Sequence, residues 1–349
     1  MRALVLAEVG RFELVDLPDP QPGAGEVRVR VTQSGICGSE LGGFRGTDGL
    51  RHPGLVFGHE LIGLVDAYGP GVPPDRRLEP GSPVTVNPLW SCGHCPICRA
   101  GRPNVCPDRR LLGGHVNGSN AELVVVDAGS LHPIDADGSD TIILAEPTAC
   151  ALRAVRRTSV GPGGSALVLG AGPIGLLLLE ALRRKGVEVL LFTERMDGRV
   201  PAGRASGGVR LPDGDDELLD LVRERTGGHG VDAVFDAVGS SQTRQSAVQA
   251  VRAGGDVCLV GLHAGESMLP VRNLIRREVA CVTSFAYTPT DFADAVALLQ
   301  SGDVDFHGEI VHAGLEAGQS WYEKLVAGHP AGKIVLEPSP ATVTAGAAR

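Results

Sequence analysis

The run Leu167-Val168-Leu169-Gly170-Ala171-Gly172-Pro173-Ile174-Gly175 constrains this chain more than any other segment. It sets G-x-G-x-x-G between an apolar stretch of strand length, Ala166–Leu169, and an apolar stretch of helix length, Ile174–Arg184. Glycines at those spacings let a strand turn sharply into a helix and let other groups approach the backbone closely. Taken alone the motif is also an ordinary turn in a glycine-rich chain, and this chain has 49 glycines. What surrounds it decides. A helix over Ala149–Arg157 precedes it; strand Val187–Phe192, helix Asp216–Arg225, strand Ala233–Asp236, helix Gln242–Arg252, strand Asp256–Val260 and strand Val279–Ser284 follow. Such alternation predicts a doubly wound parallel sheet covered by helices on both faces. One segment fits poorly: Asp197–Asp213 carries Pro201, Gly203, Gly207, Gly208 and Pro212, which predicts a shortened, irregular connection.

Before about residue 145 the texture differs. Apolar residues alternate at period two in Ala3–Leu6 and Glu26–Val31, with similar runs at Gly63–Val65, Pro83–Val86 and Ala121–Val126, and Pro18, Pro20, Pro22 and Gly23 punctuate them. This predicts short antiparallel strands in a β-rich domain. After helix Thr290–Gln300 the chain returns with a final strand, Lys333–Leu336, and Pro338–Arg349 reads as a frayed tail. The 349 residues suffice for two domains of about 100–200 residues each.

Lys plus Arg number 32 and Asp plus Glu 41, a net charge of −9 that argues against nucleic acid or an anionic membrane as partner. Only three of the 32 basic residues are lysine (Lys185, Lys324 and Lys333), which reads as a genomic bias without functional meaning. The longest uncharged stretch, Thr158–Leu179, holds six glycines and two prolines and is no spanning helix. The N-terminus has no signal-peptide core, so a cytoplasmic location is expected.

Four of the eight cysteines, Cys92, Cys95, Cys98 and Cys106, fall within fifteen residues as C-x2-C-x2-C-x7-C, among Gly93, Pro96, Gly101 and Pro103. Four thiolates in a loop can wrap one zinc tetrahedrally, and with all four positions filled by protein the ion would be structural. A redox C-x-x-C pair and unligated thiols are the alternatives. Glu194 lies nineteen residues after Gly175 at the end of a predicted strand, where a carboxylate binds the adenosine ribose hydroxyls of NAD and repels the 2′-phosphate of NADP. Arg195 and Arg199 are the residues that could still receive that phosphate. With Gly170, Gly172, Pro173, Ile174 and Gly175 these form a candidate dinucleotide site.

Cys37 and His59 would each more often be core residues than ligands. Their context is specific, however: Gly58-His59-Glu60-x2-Gly63-x5-Gly69-x2-Val72 resembles the zinc signature of the medium-chain alcohol dehydrogenase family, and the cysteine cluster follows at that family's separation. The resemblance covers nearly the whole chain and implies a GroES-like catalytic domain over 1–147 and 286–349, interrupted by a Rossmann domain over 148–285. It implies a catalytic zinc on Cys37, His59 and Glu146, the last in Ala145-Glu146-Pro147 as in the polyol and threonine dehydrogenase branch. Cys150, four residues on, is the competitor. Glu60 would be an alternating ligand, a water-holding carboxylate or a structural acid, Ser39 the hydroxyl that takes the alcohol proton, and Glu40 the acid that orients His59. Gly42 stands where a relay histidine often follows.

By the same resemblance Val238 would line the adenine side, while Val260, Leu262, Ser284 and Phe285 would lie near the nicotinamide. The implied cofactors are two zinc ions and NAD, with NADP as the alternative, and the implied assembly is a homodimer or homotetramer. The implied reaction is oxidation of a secondary alcohol of a polyol, cyclitol, amino sugar or hydroxy amino acid. A ketone or aldehyde reductase and a redox-inactive zinc and nucleotide binder are the alternatives. For substrate hydroxyls the loop residues His115, Asn117 and Asn120 are candidates, with Arg153 and Glu122 behind them.

Overall fold

A computed structural model describes residues 1–73, 78–135, 140–213 and 215–338. The tail expected to fray lies, beyond Pro338, outside the described residues. Two large sheets organise the chain. The first has strands in the order Ile310–Gly314, Lys333–Glu337, Glu26–Gly35, Glu60–Tyr68, Pro83–Val86 and Leu131–Pro133, with Leu123–Asp127 pairing with Glu26–Gly35. The second has six parallel strands, in the order Val209–Leu211, Val189–Thr193, Ser165–Leu169, Val231–Asp236, Val251–Leu259 and Ala280–Thr283.

Period two in the early strands follows from a half-buried sheet: Val27, Val29 and Val31 are wholly buried with Val84, Val124 and Val126, while Arg28 and Arg30 turn outward to Asp66. In the parallel sheet both faces are covered, so Ala166, Leu167, Val168 and Leu169 are all buried and divide between two apolar clusters, one on each face. Helix Ala145–Arg156 packs against helices Pro173–Arg184 and Pro289–Gln300 on one of those faces.

The poorly fitting segment forms more structure than expected. A six-residue helix, Val200–Ala205, leads to the edge strand Val209–Leu211. Gly203 explains the close packing, because a Cβ there would lie 2.6 Å from the Phe192 ring. Helix Ser241–Ala250 ends earlier than the pattern suggests, since Val251 already joins the sheet. The short helix Val271–Arg276, strand Ile310–Gly314 and helix Gly318–Val326 are additional to the elements that the sequence predicts.

Candidate active site and metal centres

Sheet register assembles the first centre. Gly35 pairs with Glu60 across the antiparallel strands, and Val335 pairs with Gly35 on the other side, so residues 35–37, 59–60 and 333 meet at one end of the sheet. Gly58 adopts φ +104, and a Cβ there would lie 2.5 Å from Ser119 Oγ, so only glycine lets this turn press against the 118–120 loop and deliver His59. The ligand atoms of Cys37, His59 and Glu60 lie within 4.8 Å of one another. Thiolate, imidazole and carboxylate donors together suit zinc.

A buried network stands behind His59. Its Nδ1 lies 2.8 Å from Glu40 Oε1, which leaves Nε2 for the side of Cys37. Gly58 N–H donates to Glu40 Oε1 at 3.0 Å and the Tyr322 hydroxyl to Oε2 at 2.5 Å. Asn120 Nδ2 donates to Tyr322, and Ser34 donates to Asn120 Oδ1. Burial pushes the Glu40 carboxyl up, but His59, Arg51 and Tyr322 outweigh it and hold Glu40 below its ordinary value. Burial lowers His59, but Cys37 and Glu40 dominate and raise it well above its ordinary value.

Glu60 is held by a residue the sequence reading passed over. Lys333 Nζ, on the returning strand, donates to both Glu60 oxygens at 2.7 and 2.6 Å and to the Ile36 carbonyl at 3.3 Å. Lys333 and Glu60 are 3% and 1% exposed, so one of only three lysines is a buried counter-charge. Its signal was a lone basic residue opening an otherwise apolar strand.

Glu146, in the first turn of helix Ala145–Arg156, is buried nearby but is not in the three-residue set. Burial raises its carboxyl above the ordinary range, helped by Glu60. Cys150 donates its thiol to Glu146 Oε1 at 3.7 Å, and burial followed by the Glu146 charge pushes that thiol well above its ordinary value. Cys150 is thus kept protonated beside a carboxylate. Tyr287 is buried on the same side, its phenol pushed up first by burial and then by Glu146. Ser39 is exposed, its hydroxyl donating to Cys37 Sγ at 3.3 Å.

A cavity of about 580 Å³ joins this centre to the glycine-rich turn, with Cys37, Glu60, Pro147 and Lys333 at one end and Gly170, Gly172 and Gly175 further along. Gly170 has φ +94, and a Cβ on Gly175 would lie 1.9 Å from the Gly170 carbonyl oxygen, so the turn admits no side chain there. Glu194 Oε2 accepts from Ala171 N–H at 2.9 Å and Oε1 from Met196 N–H at 2.8 Å, which fixes the carboxylate at the strand end. Pro173, Ile174, Arg195, Arg199 and Val238 also line the cavity.

Other expected residues are not among those lining the cavity, Ser39, His59 and Glu146 included. Val260, Leu262, Ser284 and Phe285 are not among the lining residues, and Leu262 is 75% exposed. None of the three loop candidates lines the cavity: His115 Nδ1 accepts from Leu111 N–H, Asn117 Oδ1 from Val56 N–H, and Asn120 serves the Glu40 network. Glu122 pairs with Arg2, and Arg153 approaches Asp291 at 3.9 Å.

At the second centre, Cys92 Sγ lies 3.9 Å from Cys98 and 3.5 Å from Cys106, and Cys95 lies 3.8 Å from Cys106. Four thiolates about 2.3 Å from one ion are about 3.8 Å apart in a tetrahedron, so the four sulfurs fit zinc as they stand. Backbone N–H bonds from His94 and Cys95 pull the Cys92 thiol down to about 6. Asn104 Nδ2 bonds the Phe285 carbonyl and Arg109 stacks 5.0 Å over the Phe285 ring, which anchors this lobe to the far end of the parallel sheet.

Comparison with known proteins agrees with this geometry. The family model for the alcohol dehydrogenase GroES-like domain matches residues 23–136, and that for zinc-binding dehydrogenases matches residues 173–301. Sorbitol dehydrogenase of Halalkalibacterium halodurans is 30% identical over 89% of this chain and 92% of its own. L-idonate 5-dehydrogenase of Vitis vinifera is 32% identical over 84% and 82%. A solved alcohol dehydrogenase from E. coli CFT073, complexed with NADH, superposes with a TM-score of 0.87 at 26% identity, covering 97% of this chain and 99% of that one. The chain therefore belongs to the zinc-dependent medium-chain alcohol dehydrogenase/reductase family, in its polyol dehydrogenase branch.

Proposed function

We propose that this dehydrogenase oxidises a secondary alcohol of a polyol, cyclitol, amino sugar or hydroxy amino acid to the ketone, the hydride passing to NAD. The observation that carries the reading is one cavity lined both by Cys37 and Glu60, whose ligand atoms lie within 4.8 Å of that of His59, and by Gly170, Gly172 and Gly175 of the glycine turn. Zinc held by Cys37, His59 and Glu146, or by Glu60 in place of Glu146, would act as a Lewis acid on the substrate oxygen. Glu40 keeps His59 in the tautomer whose Nε2 faces that position. Ser39 Oγ, beside Cys37 and open to solvent, takes the alcohol proton and hands it to water, so that no histidine is needed at Gly42. The glycine turn and the N-terminus of helix Pro173–Arg184 hold the pyrophosphate, and Glu194 takes the ribose hydroxyls. Within this reading residues 1–147 and 286–349 form the catalytic unit around the 148–285 nucleotide unit.

The test is an initial-rate screen of NAD and NADP reduction against polyols, cyclitols, amino sugars and 3-hydroxy amino acids, with ketones and aldehydes run in reverse. NAD reduction by at least one hydroxyl class is expected. NADPH oxidation by simple ketones or aldehydes alone would replace the reading with the reductase, and silence in every arm from zinc-replete protein would leave the redox-inactive binder.

We also propose self-association through the nucleotide half. The edge strand Ala280–Thr283 is mostly exposed, and Met268 and Ile275 nearby are 82% and 71% exposed. Light scattering at micromolar concentration should read a dimer or tetramer; a monomer would remove this assembly.

A further inference from the structure

We propose that Asp213, together with Glu194, makes the cavity reject a 2′-phosphate, and that it does so by occupying Arg195, the guanidinium best placed to bind that phosphate. The inference deepens the proposed NAD-linked reaction and rests on it. Asp213 follows the edge strand Val209–Leu211 and lines the same cavity as Glu194 and Thr193. Both carboxyl groups line this cavity; burial raises the Asp213 carboxyl, Arg195 lowers it, and the Glu194 charge raises it again. The ribose end of the cavity therefore has two acids where the sequence reading had one.

Both arginines set aside for a 2′-phosphate are already engaged. Arg195 Nη2 donates to Gln242 Oε1 at 2.8 Å, and its Nε lies 4.0 Å from Asp213 Oδ2. Arg199 reaches away from the ribose end. Its Nε and Nη2 donate to the Pro330 and Ala331 carbonyls at 3.2 and 3.3 Å, and its Nη1 lies 3.8 Å from where a Cβ on Gly172 would stand. That geometry gives Arg199 to the glycine turn and leaves Arg195 as the arginine beside the acids. Arg195 is 68% exposed on its side chain and its hydrogen bond is to the neutral Gln242, so removing the Asp213 charge 4.0 Å away would let it turn to a phosphate.

Glu194 is the poorer place to relax this selectivity. Its removal strips acceptors from the Ala171 and Met196 N–H groups that shape the turn, whereas Asp213 can be neutralised without touching the turn. The experiment is calorimetric titration of NAD+ and NADP+ into full-length protein. The native chain should favour NAD+ by at least about tenfold, and Asp213→Asn should shrink the NADP+/NAD+ Kd ratio by at least about tenfold, the scale of one partly screened charge removed from beside a phosphate. Adding Arg195→Ala should abolish that gain. Arg195→Ala alone should leave the NADP+ Kd within about threefold of native, because Asp213 already occupies the residue.

A ratio unchanged in Asp213→Asn, or a gain that survives Arg195→Ala, would overturn the proposal. So would a tenfold loss of NADP+ affinity in Arg195→Ala alone. If the native chain binds neither dinucleotide, the dehydrogenase reading fails first and this one with it; binding of both with no response to Asp213 sinks only this one.

Discussion

Cys37→Ala is expected to lower kcat/KM by at least about 10³-fold, equivalent to about 4 kcal/mol of lost transition-state stabilisation, while the chain stays folded. The reason is geometric. Cys37 supplies the thiolate of a three-donor set, and it lies in a loop after strand Glu26–Gly35, half-buried against the cavity, its sulfur accepting from the exposed Ser39 hydroxyl. Metal analysis of the native protein should find two zinc ions per chain and of the variant about one. Cys95→Ala should behave in the opposite way, losing the other ion and the lobe's order, because that loop has little regular structure of its own beyond the four-residue helix Pro96–Arg99 and the single 3-10 turn Pro103–Val105. Native kcat/KM in Cys37→Ala would remove the metal from the reaction.

Lys333→Met is expected to lower the unfolding free energy by about 3–5 kcal/mol, the cost of leaving one member of a buried ion pair uncompensated. In protein freed of metal, Glu60 would lose the ammonium that donates to both of its oxygens. Burial lowers Lys333, but Glu60 and Cys37 outweigh it and raise the ammonium above its ordinary value, so Lys333 is charged at neutral pH. The double variant Lys333→Met with Glu60→Gln should recover much of the loss, because a neutral amide tolerates burial better than a lone carboxylate. Urea unfolding of the three proteins measures this. A Lys333→Met chain within about 1 kcal/mol of native would mean that water already screens the pair.

Between them the two variants separate chemistry from architecture at one centre. Cys37 and Lys333 line the same cavity, yet the first is expected to change rate without stability and the second to change stability whatever it does to rate. The selectivity attributed to Asp213 is a third property of that cavity, read out by binding alone.

Local chemistry was legible in the chain. The G-x-G-x-x-G turn, the four-cysteine loop and the His59 signature each rest on residues within about fifteen positions, where spacing and residue type carry the geometry. Glycine sites at Gly58 and Gly175 were legible for the same reason: backbone contacts there exclude a side chain. Boundaries were less so. Ser241–Ala250 passes directly into strand Val251–Leu259, and only pairing with Val231 decides where one ends. The helix Val200–Ala205 accommodates Pro201 in its first turn, where the missing N–H is not needed, and Gly203 where its backbone presses on Phe192.

By itself, the sequence determined the fold class, the four-cysteine loop and the nucleotide turn, since each follows from periodicity or short-range spacing, while Cys37, His59 and Glu146 came from the family resemblance. Tertiary structure alone decided which distant residues serve them. Lys333 meets Glu60 across 273 positions and Tyr322 meets Glu40 across 282, because strand register and helix docking, not local propensity, bring those side chains together. The same long-range pairing took Asn120 away from the substrate loop and set Asp213 beside Glu194. Buried charges are satisfied by whichever partner the sheet delivers, and no spacing rule reaches across a strand pairing of that span.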